Sequence, residues 1–182
     1  MSLTRPPFKS LPLGQVYRLL EPGPVVLVST ARGGHPNVMT MSWHTMMEFE
    51  PPLVGCVISD RDYTFETLRR TKECVIAIPT AELAAQVVGC GNTTGRTVDK
   101  FARFGLTPLP ASRVSAPLVA QCYVNLECAV QDARLARRYS FFVLRVLKAW
   151  IRPRKQVRTL HHMGNGVFMV AGRTIRLPSR MK

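Results

Sequence analysis

Three stretches of this 182-residue chain set polar side chains where a ligand could meet them. "NVMTMSW" places Asn37, Thr40 and Ser42 among Val38, Met39, Met41 and Trp43. Along a strand, such groups and the backbone satisfy the edge of a flat heterocycle while Met or Trp packs its face. A sheet edge with solvated polar residues has the same composition. "SDRDYT" lies where an apolar run gives way to a helical one. Free N–H groups, the helix dipole, the hydroxyls of Ser59 and Thr64 and the cation of Arg61 make a phosphate cup there. That cup requires Asp60 and Asp62 to point away, and simple helix capping uses the same residues. "GNTTGRTVDKF" is a Gly-framed polar loop with Asn92, Thr93 and Thr94, followed by Lys100 and Phe101 at a helix start. Ordinary surface loops share its residue types.

No acid–base constellation accompanies these stretches. His161 and His162 are adjacent, so a strand sends them to opposite faces and they do not chelate together. No ligand cluster has metal spacing, and G-x-S-x-G, P-loop and G-x-G-x-x-G runs are absent. Neither catalytic nor metal-binding side chains are assigned. An enzyme with this sequence takes its reactivity from an organic cofactor.

Length and composition (46% hydrophobic, 20% charged) suit one globular domain over residues 1–182, with residues 1–23 as an N-terminal extension. No apolar run is long enough for a membrane span, and "MSLTRPPFKSLPLG" lacks the apolar core of a signal peptide. Five cysteines without C-x-x-C spacing point to reduced thiols and a cytoplasmic setting. The net charge of +14 is concentrated late: residues 131–182 carry 13 Lys/Arg against the single Asp132. Such basicity attracts nucleic acid, anionic membranes or phosphate-bearing small molecules, or is only a solvated face. Nucleic-acid binding ranks last, because no nucleic-acid motif accompanies the charge.

The elements that must position these residues follow from period and punctuation. "EPGP" ends a short turn and launches the buried strand "VVLVSTA"; "RGGHP" is a hairpin leading to an antiparallel strand, Asn37 to Trp43. After "EPP" comes the strand "LVGCVIS". "DRDYTFETLRRT" predicts a helix with Asp62 or Thr64 as cap, and "ECVIAIP" a strand. "TAELAAQVVGC" and "VDKFARFG" predict helices. From Cys122 the alternation predicts a half-buried strand, with Tyr123, Asn125, Glu127 and Gln131 outward. "YSFFVLRVLKAWI" predicts a long strand buried on both sides, and "GVFMVAGRTIRL" two short strands about a glycine turn. The fold class is mainly β, antiparallel, with inserted helices. Periodicity alone leaves barrel and sandwich open.

"PNVMTMSW", "EPPLVG", "SDRDYTFETL", "GNTTGRTVDKFARFGL", "APL" ahead of "LEC", and "TLHHMGNGVFMVAGRTI", in that order and spacing, resemble one family. The chain is similar to the flavin reductase-like, FMN-binding split-barrel proteins from about Pro24 through Leu177. The resemblance implies a split β-barrel homodimer holding FMN non-covalently near the dimer interface. It implies that residues 37–42 line the isoalloxazine, that Ser59, Arg61 and Thr64 hold the phosphate, and that Lys100 compensates charge. The activity implied is an oxidoreductase that passes hydride from NADH or NADPH to the flavin. The electrons go on to a small-molecule acceptor or a partner oxygenase. A flavin-binding electron carrier or sensor without turnover is the alternative. "FFVLRVLKAWIRPRK" lacks the histidine and "GEV"-like turn that many members carry, so the resemblance assigns no residue to the nicotinamide side. The basic residues Arg152, Arg154, Lys155 and Arg158 are candidates for steering anions toward the pocket.

Overall fold

A computed structural model describes residues 8–20 and 23–178. Twelve strands are described: β1 (Lys9–Leu11), β2 (Val26–Arg32), β3 (His35–Met41), β4 (His44–Phe49), β5 (Pro52–Val57), β6 (Glu73–Ile78), β7 (Pro108–Leu109), β8 (Leu118–Val119), β9 (Val124–Asp132), β10 (Phe141–Ile151), β11 (Leu160–Gly164) and β12 (Val167–Val170). The α-helices are α1 (Tyr17–Leu20), α2 (Tyr63–Thr71), α3 (Ala84–Gly91), α4 (Lys100–Arg103) and α5 (Ala136–Tyr139).

The main sheet is antiparallel throughout and runs β3-β2-β6-β9-β10-β5-β4, with β1 paired to the far half of β10. Its two ends, β3 and β4, are consecutive in the chain. Met41 and His44 are three residues apart, a reach of at most about 11 Å. The sheet must therefore curl until its edges approach at that corner, which gives a barrel that stays split elsewhere. This settles what the periodicity left open.

The hairpin from β2 to β3 follows from Gly33 and Gly34, both at positive φ (58° and 79°), the type I′ geometry that matches strand twist. Strand β2 reads as continuously apolar because both its faces are covered. Val26 and Val28 enter the barrel interior with Ile76, Leu126, Phe142 and Leu144. Leu27 faces outward into a second core with Val38, Val87, Phe101 and Leu160, built under α3. Helix α2 closes the barrel end through Phe65 and Leu68. The Phe65 ring meets Phe142 edge-on at 5.4 Å between centroids.

Several expectations change. The strand expected over Asn37–Trp43 stops at Met41; Ser42 and Trp43 form the corner, and β4 is a separate strand. Strand β9 begins at Val124 and is buried on both faces as far as Cys128, where the segment carrying β8 covers the second side; beyond it the strand is half-buried as expected, with Gln131 exposed. Strand β10 buries Phe142, Leu144, Val146 and Ala149, whereas its other face is only partly covered by this chain. In the tail, the hairpin is β11 with β12 about Asn165 and Gly166, both at positive φ, and no strand is found in residues 171–178. That Asn-Gly pair is itself a type I′ signal that the sequence carried. The segment taken as an N-terminal extension supplies β1 and the buried Val16 and Leu20. Residues 21 and 22 of "EPGP" lie outside the described residues.

Candidate functional site

The groove follows the free edge of β3. Among the described residues, β3 pairs within the main sheet only with β2, so its outer edge offers backbone donors and acceptors. Helix α2 starts beside one face of β3, and α3 ends beside the other. Between them lies a polar cavity of about 280 Å³.

Its floor is Asn37, Met39 and Thr40 from β3. Asn37 is buried, and its Nδ2 donates to Thr64 Oγ1 at 3.0 Å. That bond ties the strand to the first turn of α2 and turns the Thr64 hydroxyl proton away from Asn37. Asn37 Oδ1 has no hydrogen-bond partner among the described residues. Thr40 Oγ1 donates to the Val87 carbonyl at 2.6 Å and fixes β3 against α3.

One wall is the approach to α2: Arg61, Asp62, Tyr63 and Thr64. Asp62 occupies the N-cap position, but its side chain makes no capping bond there. The N-terminal N–H groups and positive dipole end of a nine-residue helix thus lie along a cavity wall. The opposite wall is the end of α3 and the loop after it. Gly95 sits against Asn37 so closely that a Cβ there would lie 2.0 Å from Asn37 Oδ1. Only glycine lets the loop close over the strand.

Lys100 reaches in from α4, whose N-terminus Asp99 caps by accepting the Ala102 N–H at 3.1 Å. Lys100 is buried, with Nζ donating to the Cys90 carbonyl at 2.8 Å. Burial holds its ammonium below the usual lysine range, and Cys90 and Asp62 oppose that shift. Burial pushes the Cys90 thiol up to about 11, with Lys100 drawing it back. Cys90 is therefore protonated and acts as wall, not nucleophile.

A second cavity, about 360 Å³, shares Thr40, Gly91 and Asn92 with the first. It is lined by Val25, Val87 and Val88 on one side and by Ser42 at the sheet corner. The β11–β12 hairpin adds His162, Gly166 and Phe168, with the rings of His162 and Phe168 5.3 Å apart. The two cavities form one groove, cationic and polar at the α2 end and mostly apolar at the hairpin end. A separate cavity of about 360 Å³, lined by Leu20 and residues 44–49, contains none of the residues singled out in the sequence.

Of the residues selected by sequence, Asn37, Met39, Thr40, Arg61, Thr64, Asn92, Thr94 and Lys100 meet in the polar cavity, and Ser42 joins them through the second. Four do not line the groove. Val38 and Phe101 are buried in the core under α3, because alternation sends Val38 to the face opposite Asn37. Trp43 sits at the corner, 70% exposed. Ser59 is turned inward on its own loop, its Oγ accepting the Arg61 N–H at 3.2 Å. The sequence reading missed Tyr63, Gly95 and the hairpin residues His162 and Phe168. The Asn-Gly turn could have revealed the hairpin, but nothing local signalled where it folds.

The family model "Flavin reductase like domain" matches residues 18–170. An uncharacterized protein of Pyrococcus abyssi is 32% identical over 131 residues, 72% of this chain and 75% of its own length. The uncharacterized YddH of Escherichia coli is 28% identical over 183 residues, 92% and 97% of the two chains. Among solved structures, an FMN-binding domain of a flavin reductases-like enzyme from Shewanella baltica superposes with a TM-score of 0.87 at 25% identity. That match covers 94% of this chain and 97% of the other.

Proposed function

The chain belongs to the flavin reductase-like family, and on that premise we propose that it is an FMN-dependent oxidoreductase using NADH or NADPH as electron donor. The observation that carries the reading is the polarity of the groove: a cation-lined helix start at one end, opening into an apolar, ring-sized space at the other. The residues fit the group. Asn37 Oδ1 is a buried acceptor with no hydrogen-bond partner among the described residues, beside the close approach of Gly95. A hydroxyl of the sugar-alcohol chain that joins the flavin ring to its phosphate would donate to it, and a buried acceptor left unpaired costs about 1–3 kcal/mol.

Arg61, Lys100 and the N–H groups at the start of α2 would hold the phosphate, with the Thr64 hydroxyl beside them. Ser42, the β3 edge and His162 would meet the polar rim of the ring. Val87, Val88 and Phe168 would cover its face and keep water out. Bound there, FMN would supply the hydride chemistry, accepting it from the nicotinamide and passing electrons to a small-molecule acceptor or partner oxygenase.

The test is titration of the purified protein with FMN and riboflavin, followed by assay of NADH and NADPH oxidation. FMN should bind at least about tenfold more tightly, the worth of one charge-assisted hydrogen bond. Equal affinities would remove the phosphate assignment, and FMN binding without oxidation of either nicotinamide would make the protein a carrier or sensor.

A homodimer is part of the proposal. The partly covered face of β10 and the exposed Trp43, Met47 and Phe49 near the sheet edge form apolar surface that a second copy would bury. A monomeric mass by light scattering with FMN bound would refute it.

A further inference from the structure

The β11–β12 hairpin is a two-stranded sheet apart from the barrel, and one of its faces is packed. Leu160 and Phe168 lie on the core under α3, and His162 lines the groove beside Phe168. The ladder sets His161 opposite Met169 and His162 opposite Phe168, so alternation turns His161, Met163, Val167 and Met169 to the other face. Met163, Val167 and Met169 are each more than half exposed there. The Ala171 N–H then donates to the Thr159 carbonyl at 2.8 Å, and beyond it Ile175 and Leu177 are again more than half exposed. Five large apolar side chains within residues 163–177 thus stay in water.

The charge around them has one sign. Residues 133–182 contain no Asp or Glu. Arg173 and Arg176 flank Ile175, and Arg154, Lys155 and Arg158 precede β11. None of these five cations forms an ion pair among the described residues, although Glu82 lies within electrostatic reach of Arg154 and Arg158. Aliphatic side chains set among cations match the interface of an anionic bilayer, where acyl chains receive the apolar groups and headgroups neutralise the charge. A second copy does not match, because a two-fold contact through this face sets the same cations against each other. Nucleic acid would neutralise the charge but offer the five apolar side chains only a polar backbone.

We infer that this hairpin face and the tail after it form a docking surface for an anionic membrane, on which the protein rests without spanning it. The surface is opposite the side of the hairpin that carries His162 and Phe168. Docking therefore leaves the groove free, and the inference does not depend on the flavin reading.

The experiment is co-sedimentation of the purified full chain with vesicles of phosphatidylcholine alone and of phosphatidylcholine mixed with phosphatidylserine. Wild type should pellet with the mixed vesicles and not with phosphatidylcholine alone, and less so as salt rises. Arg173→Gln with Arg176→Gln removes two cations from a segment without secondary structure and should weaken binding to the mixed vesicles about tenfold. Val167→Glu with Met169→Glu sets two carboxylates on the exposed face and should abolish binding, with an unchanged thermal transition showing that the fold is intact. The arginine pair decides alone if the glutamate pair does not fold. Absence of binding to the mixed vesicles, equal binding to phosphatidylcholine alone, or binding that both variants retain overturns the inference. Wild type that binds a duplex oligonucleotide and not the vesicles overturns it in favour of nucleic acid. A fall from dimer to monomer mass by light scattering in the glutamate pair overturns it in favour of a second copy.

Discussion

Two strands of one sheet each carry a buried asparagine, and the two are treated differently. In the middle of the sheet, Asn125 on β9 accepts the Val119 N–H at 2.8 Å and donates to the Val119 carbonyl at 3.2 Å, imitating a strand partner for β8. Two residues on, the fully buried Glu127 accepts from the Ser112 N–H and hydroxyl, the Arg113 N–H and Trp150 Nε1. Every polar atom there is answered by the protein. At the sheet edge, Asn37 on β3 has one amide atom bonded to Thr64 and the other without a partner among the described residues. An unpaired buried polar group is costly, so the complete set at β9 reads as a structural network, and the open acceptor of Asn37, which also lines a cavity, reads as a place for a ligand.

That contrast can be broken most severely at β9. Glu127→Gln replaces two acceptor oxygens with one and faces a donor with donors. It should cost about 3 kcal/mol. That is a fall in Tm of roughly 6–12 °C for a chain of this size, read by thermal denaturation. Asn37→Ala should change Tm far less and instead weaken flavin binding; an equal loss of stability from both would erase the distinction.

Next in size is Lys100→Met. Removing a buried cation should leave the flavin-free protein no less stable while weakening FMN by about tenfold and riboflavin by less than twofold. Burial lowers the Lys100 pKa, so on raising the pH the charged form that an anion needs is lost before the ordinary 10.5 is reached. FMN affinity should therefore fall as pH rises through that lowered value, and the fall should vanish in Lys100→Met.

His44 gives a smaller test at the corner between the sheet edges. Its Nε2 lies 2.7 Å from the Pro24 carbonyl, and burial holds its pKa below 6.5 despite that bond. A depressed folded value favours the neutral ring. Its stabilisation is complete above 6.5 and is lost as pH falls through the lowered value. Chemical denaturation of wild type should show that acidic loss, and His44→Gln should flatten it.

The smallest effect concerns the basic loop between β10 and β11. Arg152 is already committed, donating to the Ala120 carbonyl at 2.6 Å with its guanidinium over the Phe8 ring. Arg154, Lys155 and Arg158 remain as steering candidates. Changing these three to Gln should reduce kcat/KM for NADPH only at low salt, because screening shortens their field to roughly 8 Å at physiological ionic strength. Identical salt slopes would leave them as solvated charge.

Local signals in the sequence determined most of the elements. Gly33-Gly34 fixes a hairpin by its φ values alone, the period of "YTFETLRRT" makes α2, and continuous apolar runs make β2 and β5. The same signals selected Asn37, Thr40, Arg61, Thr64 and Lys100, because helix starts and polar residues within strands have local chemical meaning. Tertiary structure decided the rest. Alternation put Val38 behind its strand, and the corner that brings β3 to β4 turned Trp43 outward. Outwardly polar Glu127 became a buried anchor only when a loop from residues 110–117 folded across it. His162 and Phe168 entered the groove from more than a hundred residues beyond β3. Whether a face is covered, and by what, depends on contacts distant in sequence, which no local period encodes.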